Sequence, residues 1–167
     1  MYLISMPDRR QVVETPVDDE DVAVRCDGPL LISGASRRGI ETIAHRVHRA
    51  GRRARFPFVH QCACSFPVEP EALREHCSQF FLAATGGSLL ISNVEEMPHV
   101  VQEALLLELL VELAERHRSS AAARLMCGTT VCLFDRVLAG TFSQHLFYRL
   151  NTIHLVAAGA RRGVASA

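Results

Sequence analysis

The sequence predicts an α/β fold in which helices pack on a mostly parallel, five-stranded sheet. Three observations lead there. Short apolar runs alternate with segments of helical period along most of the chain. The apolar runs are short and bounded by turn residues, as buried parallel strands are. The stretch "LLISGASRRGIETIAHRVH" over residues 30–48 reads as strand, glycine-bounded loop and helix, the layout of a phosphate-binding loop.

Taken in order, residues 1–27 form a polar lead-in. Within it the acidic run at 18–21 reads as a solvated face or the start of a short helix. "LLIS" at 30–33 is the first strand. A helix over 40–50 ends at Gly51, a favoured helix terminator. "FPFVHQC" at 56–62 is a second strand, and 69–84 is helix-like. The turn Gly86-Gly87 leads into a third strand, "SLLIS", at 88–92. Pro98, a favourable first-turn residue, opens a long helix running to about His117. "RLMCGT" at 124–129 is a fourth strand, 141–150 is helical, and "TIHLV" at 152–156 is a fifth strand. One domain over 28–157 and a frayed tail over 158–167 complete the organisation.

Composition bounds the function. At 167 residues with 49% hydrophobic and 22% charged content, the chain can build one sizeable core. Its formal net charge is 0, so no global field recruits nucleic acid or acidic lipid. No apolar run is long enough to span a membrane, and the first residues lack a signal-peptide layout, so the expected location is the cytoplasm. In that compartment the 6 cysteines are expected as thiols rather than disulfides. All 18 basic residues are arginine, so no side-chain amine is available for phosphate binding anywhere in the chain.

Four stretches carry a resemblance to a known family. They are "GASRRGIE" with Ala44, Val47 and His48 following; "PFVHQCACSFP"; "FFLAATGGSLLISNVEEMP"; and "TFSQHLFYRLN". In this order and spacing the chain resembles the AAA+ domain of sigma-54-dependent transcriptional activators, over roughly residues 28–156. The resemblance implies a three-layer αβα fold of the P-loop NTPase type. It implies ATP or ADP with magnesium as the cofactor, and sigma-54 RNA polymerase as the partner.

The same resemblance locates what is missing. The phosphate loop corresponds to Gly34, Ala35, Ser36, Arg37, Arg38, Gly39, Ile40 and Glu41, and Ile40 stands where the family has its lysine. Isoleucine offers neither charge nor hydrogen bond to a phosphate. Arg37 and Arg38 replace a glycine and a small residue; they can be read as phosphate ligands or as solvated arginines on a closed loop. Ser92 and Asn93 stand where the family carries the magnesium-binding Asp and the water-polarising Glu. Glu95 and Glu96 lie past the strand end and are not expected to substitute. Thr130 occupies the sensor position. Of two arginines that reach a neighbouring subunit's nucleotide, one is Ser143 here and the other persists as Arg149, which a structural helix-end role also explains. The family's sigma-contacting G-A-F-T-G-A loop has no counterpart between Pro67 and Phe80, and the chain closes soon after Arg149, without room for the family's helical lid. The expectation is a non-catalytic domain, without a cofactor, that acts through protein contacts in transcription regulation or signalling. The alternative is a nucleotide sensor that does not hydrolyse.

Three further constellations remain open. His60, Cys62 and Cys64 alternate along one strand, with His76 and Cys77 on the next helix; these are metal-ligand residue types without a standard finger spacing. Cys62 and Cys64 also form a candidate redox pair. The helix over 98–117 is apolar around most of its circumference: Leu105, Leu106, Leu107, Leu109, Leu110, Val111 and Leu113 cannot share one face. It is packed on two sides or is a face for a protein partner or self-association. Arg46, Arg49, Arg52, Arg53 and Arg55 read as a solvated basic face, with direct nucleic-acid contact as the lesser option.

Overall fold

A computed structural model describes residues 19–116 and 122–157, with the side chains of 110–116 excepted. The lead-in before residue 19, the helix end at His117, the side chains of Leu110, Val111 and Leu113, and the 158–167 tail lie outside the described residues. All five strands pair in parallel in one sheet: β1 Leu30–Ser33, β2 Phe58–Cys62, β3 Ser88–Ser92, β4 Arg124–Thr129 and β5 Ile153–Val156, in the order β2-β3-β4-β1-β5. Helices α1 Asp19–Arg25 and α2 Arg37–Ala50 cover one face. Helices α3 Pro70–Ala83, α4 His99–Arg116, α5 Leu133–Leu138 and α6 Gln144–Leu150 cover the other.

Strand alternation sorts the core into two layers. Leu30, Ile32, Leu90, Met126 and Leu155 point toward α1 and α2. Leu31, Leu89, Ile91, Leu125 and Cys127 point toward α3, α4 and α6. The central strands β3 and β4 are buried along their whole length, which is why they read as unbroken apolar runs. Entry into β3 depends on Gly87, where an added Cβ would lie 1.9 Å from the Pro57 carbonyl oxygen.

Several elements differ from their sequence expectations. Helix α2 begins at Arg37 rather than Ile40, because Ser36 caps it: the Gly39 N–H donates to Ser36 Oγ at 3.2 Å. Strand β2 starts two residues later than expected, after Pro57, with Phe56 exposed. Only 144–150 of the 141–150 segment is helical, because Ser143 is the N-cap of α6 and its Oγ accepts from the Leu146 N–H. Helix α5 was not anticipated; its N-cap, Cys132, makes no side-chain capping bond. Helix α1 packs on α2 and β5 with Ala23 fully buried. Among the described residues no helix is long and apolar enough to cross a membrane.

Arg53 corrects the reading of the basic cluster. It is 9% exposed and donates to Asp27 through two nitrogens and to the carbonyls of Gly86, Gly87 and Ala122. It therefore ties the start of β3 to the segments preceding β1 and β4. Arg46 pairs with Glu20 on α1. The basic cluster is thus partly structural and not one solvated face.

Candidate functional site at the carboxyl end of the sheet

In open parallel sheets ligands bind beyond the carboxyl ends of the strands, where the order of connection reverses. The segments that resemble the phosphate loop, the acidic motif and the sensor all converge there. The loop leaves β1 at Gly34, whose N–H donates to the Thr129 carbonyl at 3.1 Å. It is short, because Arg37, Arg38 and Gly39 are already wound into the first turn of α2. Those residues thus form helix and not an open cradle of N–H groups.

Ile40 is 2% exposed and belongs to the core layer under α2. Its side chain lies between two glycines. A Cβ on Gly34 would be 3.2 Å from Ile40 Cγ1, and one on Gly128 would be 2.5 Å from Ile40 Cγ2. The position that carries lysine in the resembled motif is here an apolar plug against the tips of β1 and β4.

At the tip of β3, Ser92 and Asn93 are buried. Ser92 Oγ is 3.0 Å from His60 Nε2 on the neighbouring strand. Asn93 adopts a left-handed backbone at φ 58, which asparagine tolerates, and its Nδ2 lies 3.7 Å from Cys62 Sγ. Beyond it, residues 94–96 form a 3-10 turn. Glu95 Oε1 accepts from both the N–H and the hydroxyl of Thr130, at 3.0 and 2.8 Å. Its Oε2 is buried and has no hydrogen-bond partner among the described residues. Glu96 pairs with Arg37 at 3.2 Å across an exposed surface. The two glutamates therefore bridge the turn after β3 to the sensor position and to the start of α2. Sequence reading placed them outside the site. The signal available was their location directly after the acidic-motif position, but not the fold of the turn that aims them.

The other predicted residues are dispersed. Arg149 lies on the exposed face in the last turn of α6. The backbone N–H of Ser143 donates to Gln102 Oε1 at 2.7 Å. The five candidate metal ligands do not converge. Cys64 lies in a 3-10 turn after β2 and does not continue the strand alternation. Cys62 and Cys64 form a disulfide, with Cα atoms 5.3 Å apart, contrary to the expectation of free thiols; that turn brings the two backbones within bonding range. His76 stacks edge-on against Phe66 and Phe80. Cys77 is fully buried, and burial together with the nearby Glu108 pushes its thiol up to about 12. Burial likewise raises the Cys127 thiol.

At the opposite end of the sheet, His48 is buried with Nδ1 3.0 Å from Ser88 Oγ, and burial holds its pKa below the ordinary 6.5. His154 on β5 sits 2.8 Å from Ser33 Oγ, and burial lowers it too.

Comparison with known proteins identifies this arrangement. The profile of the sigma-54 interaction domain matches residues 71–156, just over half of the chain, a span that begins well after the phosphate-loop segment. The HTH-type transcriptional regulatory protein TyrR of Enterobacter agglomerans is 33% identical over 89% of this chain and 31% of its own length. The regulatory protein AtoC of Escherichia coli is 35% identical over 76% of this chain and 31% of its own length. This chain thus spans about a third of the length of the relatives it matches. Among solved structures, NtrX from Brucella abortus in complex with ATP superimposes with a TM-score of 0.68 at 26% identity, covering 83% of this chain and 35% of that one. The P-loop NTPase domain of a sigma-54 activator from E. coli shares the fold, with a TM-score of 0.61 at 22% identity over 83% of this chain and 96% of that one. With its parallel sheet between two helical layers, the chain has the three-layer AAA+ fold, and it belongs to the sigma-54 interaction domain family.

Proposed function

We propose that this chain is a non-catalytic domain of a transcription regulator and works through protein contacts, with sigma-54 RNA polymerase as the partner that family membership suggests. The observation that carries the reading is the buried Ile40, which fills the space between Gly34 and Gly128. The residues present do not fit a magnesium nucleotide. The loop position for a phosphate-neutralising amine is an apolar plug, and the tip of β3 offers Ser92 and Asn93 where a metal ligand and a base would be carboxylates. Glu95, the next carboxylate along the chain, accepts from Thr130 through Oε1. The regulatory assignment draws on relatives named as transcriptional regulators, TyrR among them.

A second reading is nucleotide binding without hydrolysis. Two observations favour it: NtrX has been solved with ATP and with ADP, and Arg37 and Arg38 stand at the amino end of α2.

Calorimetric titration of the protein with ATP and ADP, magnesium present, separates the two. The expected result is neither heat nor thermal shift at millimolar nucleotide. Saturable micromolar binding would overturn the first reading and make Arg37 and Arg38 the first residues to substitute. Pull-down with sigma-54 tests the suggested partner.

A further inference from the structure

A groove of about 240 Å³ runs between α3 and α4. Leu73 and Cys77 of α3 form its floor, and both are buried. Val100, Ala104 and Leu107 of α4 form its lip. Their spacing of four and three residues puts them on one helix face, where Leu107 stays 64% exposed and Val100 36%. Leucine at that exposure, next to a recess of several side-chain volumes, leaves apolar surface that a partner helix could cover. α4 is thus packed on one side, through Val101, Leu105 and Leu109, and open on another.

Charge selects the occupant. Glu103 and Glu108 flank the groove on α4. Arg74 is the single cation among the lining residues. A second copy docked about a two-fold axis would bring four lining carboxylates together with two Arg74 guanidiniums, leaving excess negative charge in the seam, which opposes association. A helix with an apolar stripe and arginine or lysine flanks would fill the recess and neutralise the rim at once.

We propose that the α3–α4 groove is the docking site for a basic amphipathic helix of a partner protein. The proposal rests on the reading of the chain as an interaction module and supplies its surface.

The probe is a synthetic helix of roughly 18 residues, long enough to span the groove, with leucines on one face and arginines flanking them. Fluorescence anisotropy against the full chain should show saturable binding that weakens as salt rises. Leu107→Asp and Glu103→Lys should each weaken it about tenfold, with melting temperatures unchanged because both positions are open to solvent. A peptide of the same composition with its leucines dispersed should not bind. The proposal is overturned by absent saturation, by equal binding of the dispersed peptide, or by variants that bind like the parent. It is also overturned if sedimentation shows the chain self-associating and Leu107→Asp abolishing that association. None of the groove-lining residues is among those of the candidate nucleotide site, so the ATP titration fails or succeeds independently of this result.

Discussion

Ile40 occupies the space that a side chain on Gly128 would need: a Cβ there would lie 2.5 Å from Ile40 Cγ2. Neither residue can yield easily, since Ile40 is 2% exposed and Gly128 sits inside a strand paired on both sides. Gly128→Ala should therefore destabilise the fold by about 1–3 kcal/mol through overpacking. Ile40→Ala should cost roughly 2–5 kcal/mol through the cavity it opens. The double variant should be more stable than the sum of the two costs by about 1 kcal/mol or more, because the alanine at 128 then meets a vacated space. Urea unfolding of the four proteins measures this, and strict additivity would mean the two side chains do not compete.

The same contact predicts the outcome of restoring the missing lysine. Ile40→Lys puts an ammonium into an apolar layer, at a cost of roughly 2–5 kcal/mol or a distorted loop. Turnover should remain at background, because the tip of β3 still lacks carboxylates. Adding Ser92→Asp and Asn93→Glu should not rescue it. The first buries a charge beside His60, and the second puts glutamate at a left-handed backbone position, strained by about 1 kcal/mol. Phosphate-release assays on the single and triple variants check this; hydrolysis by either would show that the fold still accommodates the chemistry these positions have lost.

Buried histidine gives the fold a pH dependence with a definite sign. Burial, then the neighbouring charge of His45, lowers the His48 pKa below 6.5; partial desolvation shifts His154 the same way, although its side of β5 is open to solvent. In the unfolded chain both would bind protons near 6.5, whereas in the folded chain they resist until lower pH. Between those values the unfolded state holds more protons, so stability is full above about pH 6.5 and falls as the solution is acidified. The urea midpoint should decline from about pH 7 to pH 5.5, with a shallower slope for His48→Gln. Equal slopes for parent and variant would show that His48 protonates freely when folded.

Legibility in the sequence followed the physics of each element. Strands β3 and β4 were readable to the residue because both of their faces are buried, which forces an unbroken apolar run with turn residues at its ends. Helix α5 was missed because it is short, lacks a side-chain cap and leaves Phe134 and Leu138 exposed, so it shows no amphipathic period. The start of α2 was misplaced because the phosphate-loop template assigns those residues to a loop, whereas Ser36 caps a helix there. The positions of Ile40, Ser92 and Thr130 at the candidate site were legible from motif spacing. The Glu95–Thr130 bond was not, because nothing local shows how a 3-10 turn will aim a carboxylate.

Arg53 shows where charge patterning misleads. In the sequence it is one of five clustered arginines, yet three of its acceptors are carbonyls, at Gly86, Gly87 and Ala122, that lie far along the chain. Each is a backbone group without composition, so no sequence pattern could report it. Arg53→Met keeps the aliphatic stem and removes these bonds, leaving largely buried carbonyls without their charged donor. It should destabilise by about 3 kcal/mol, within the range for broken buried charge networks. Asp27→Asn should cost much less, because Asp27 is 46% exposed and water can replace the charge pairing. Arg53→Lys should behave nearer to methionine than to the parent, since one ammonium cannot serve a carboxylate and three carbonyls in the directions a guanidinium fork reaches. Urea midpoints of the three variants decide it. A lysine variant as stable as the parent would reduce Arg53 to a point charge and remove the bonding geometry from the account of how the start of β3 is held.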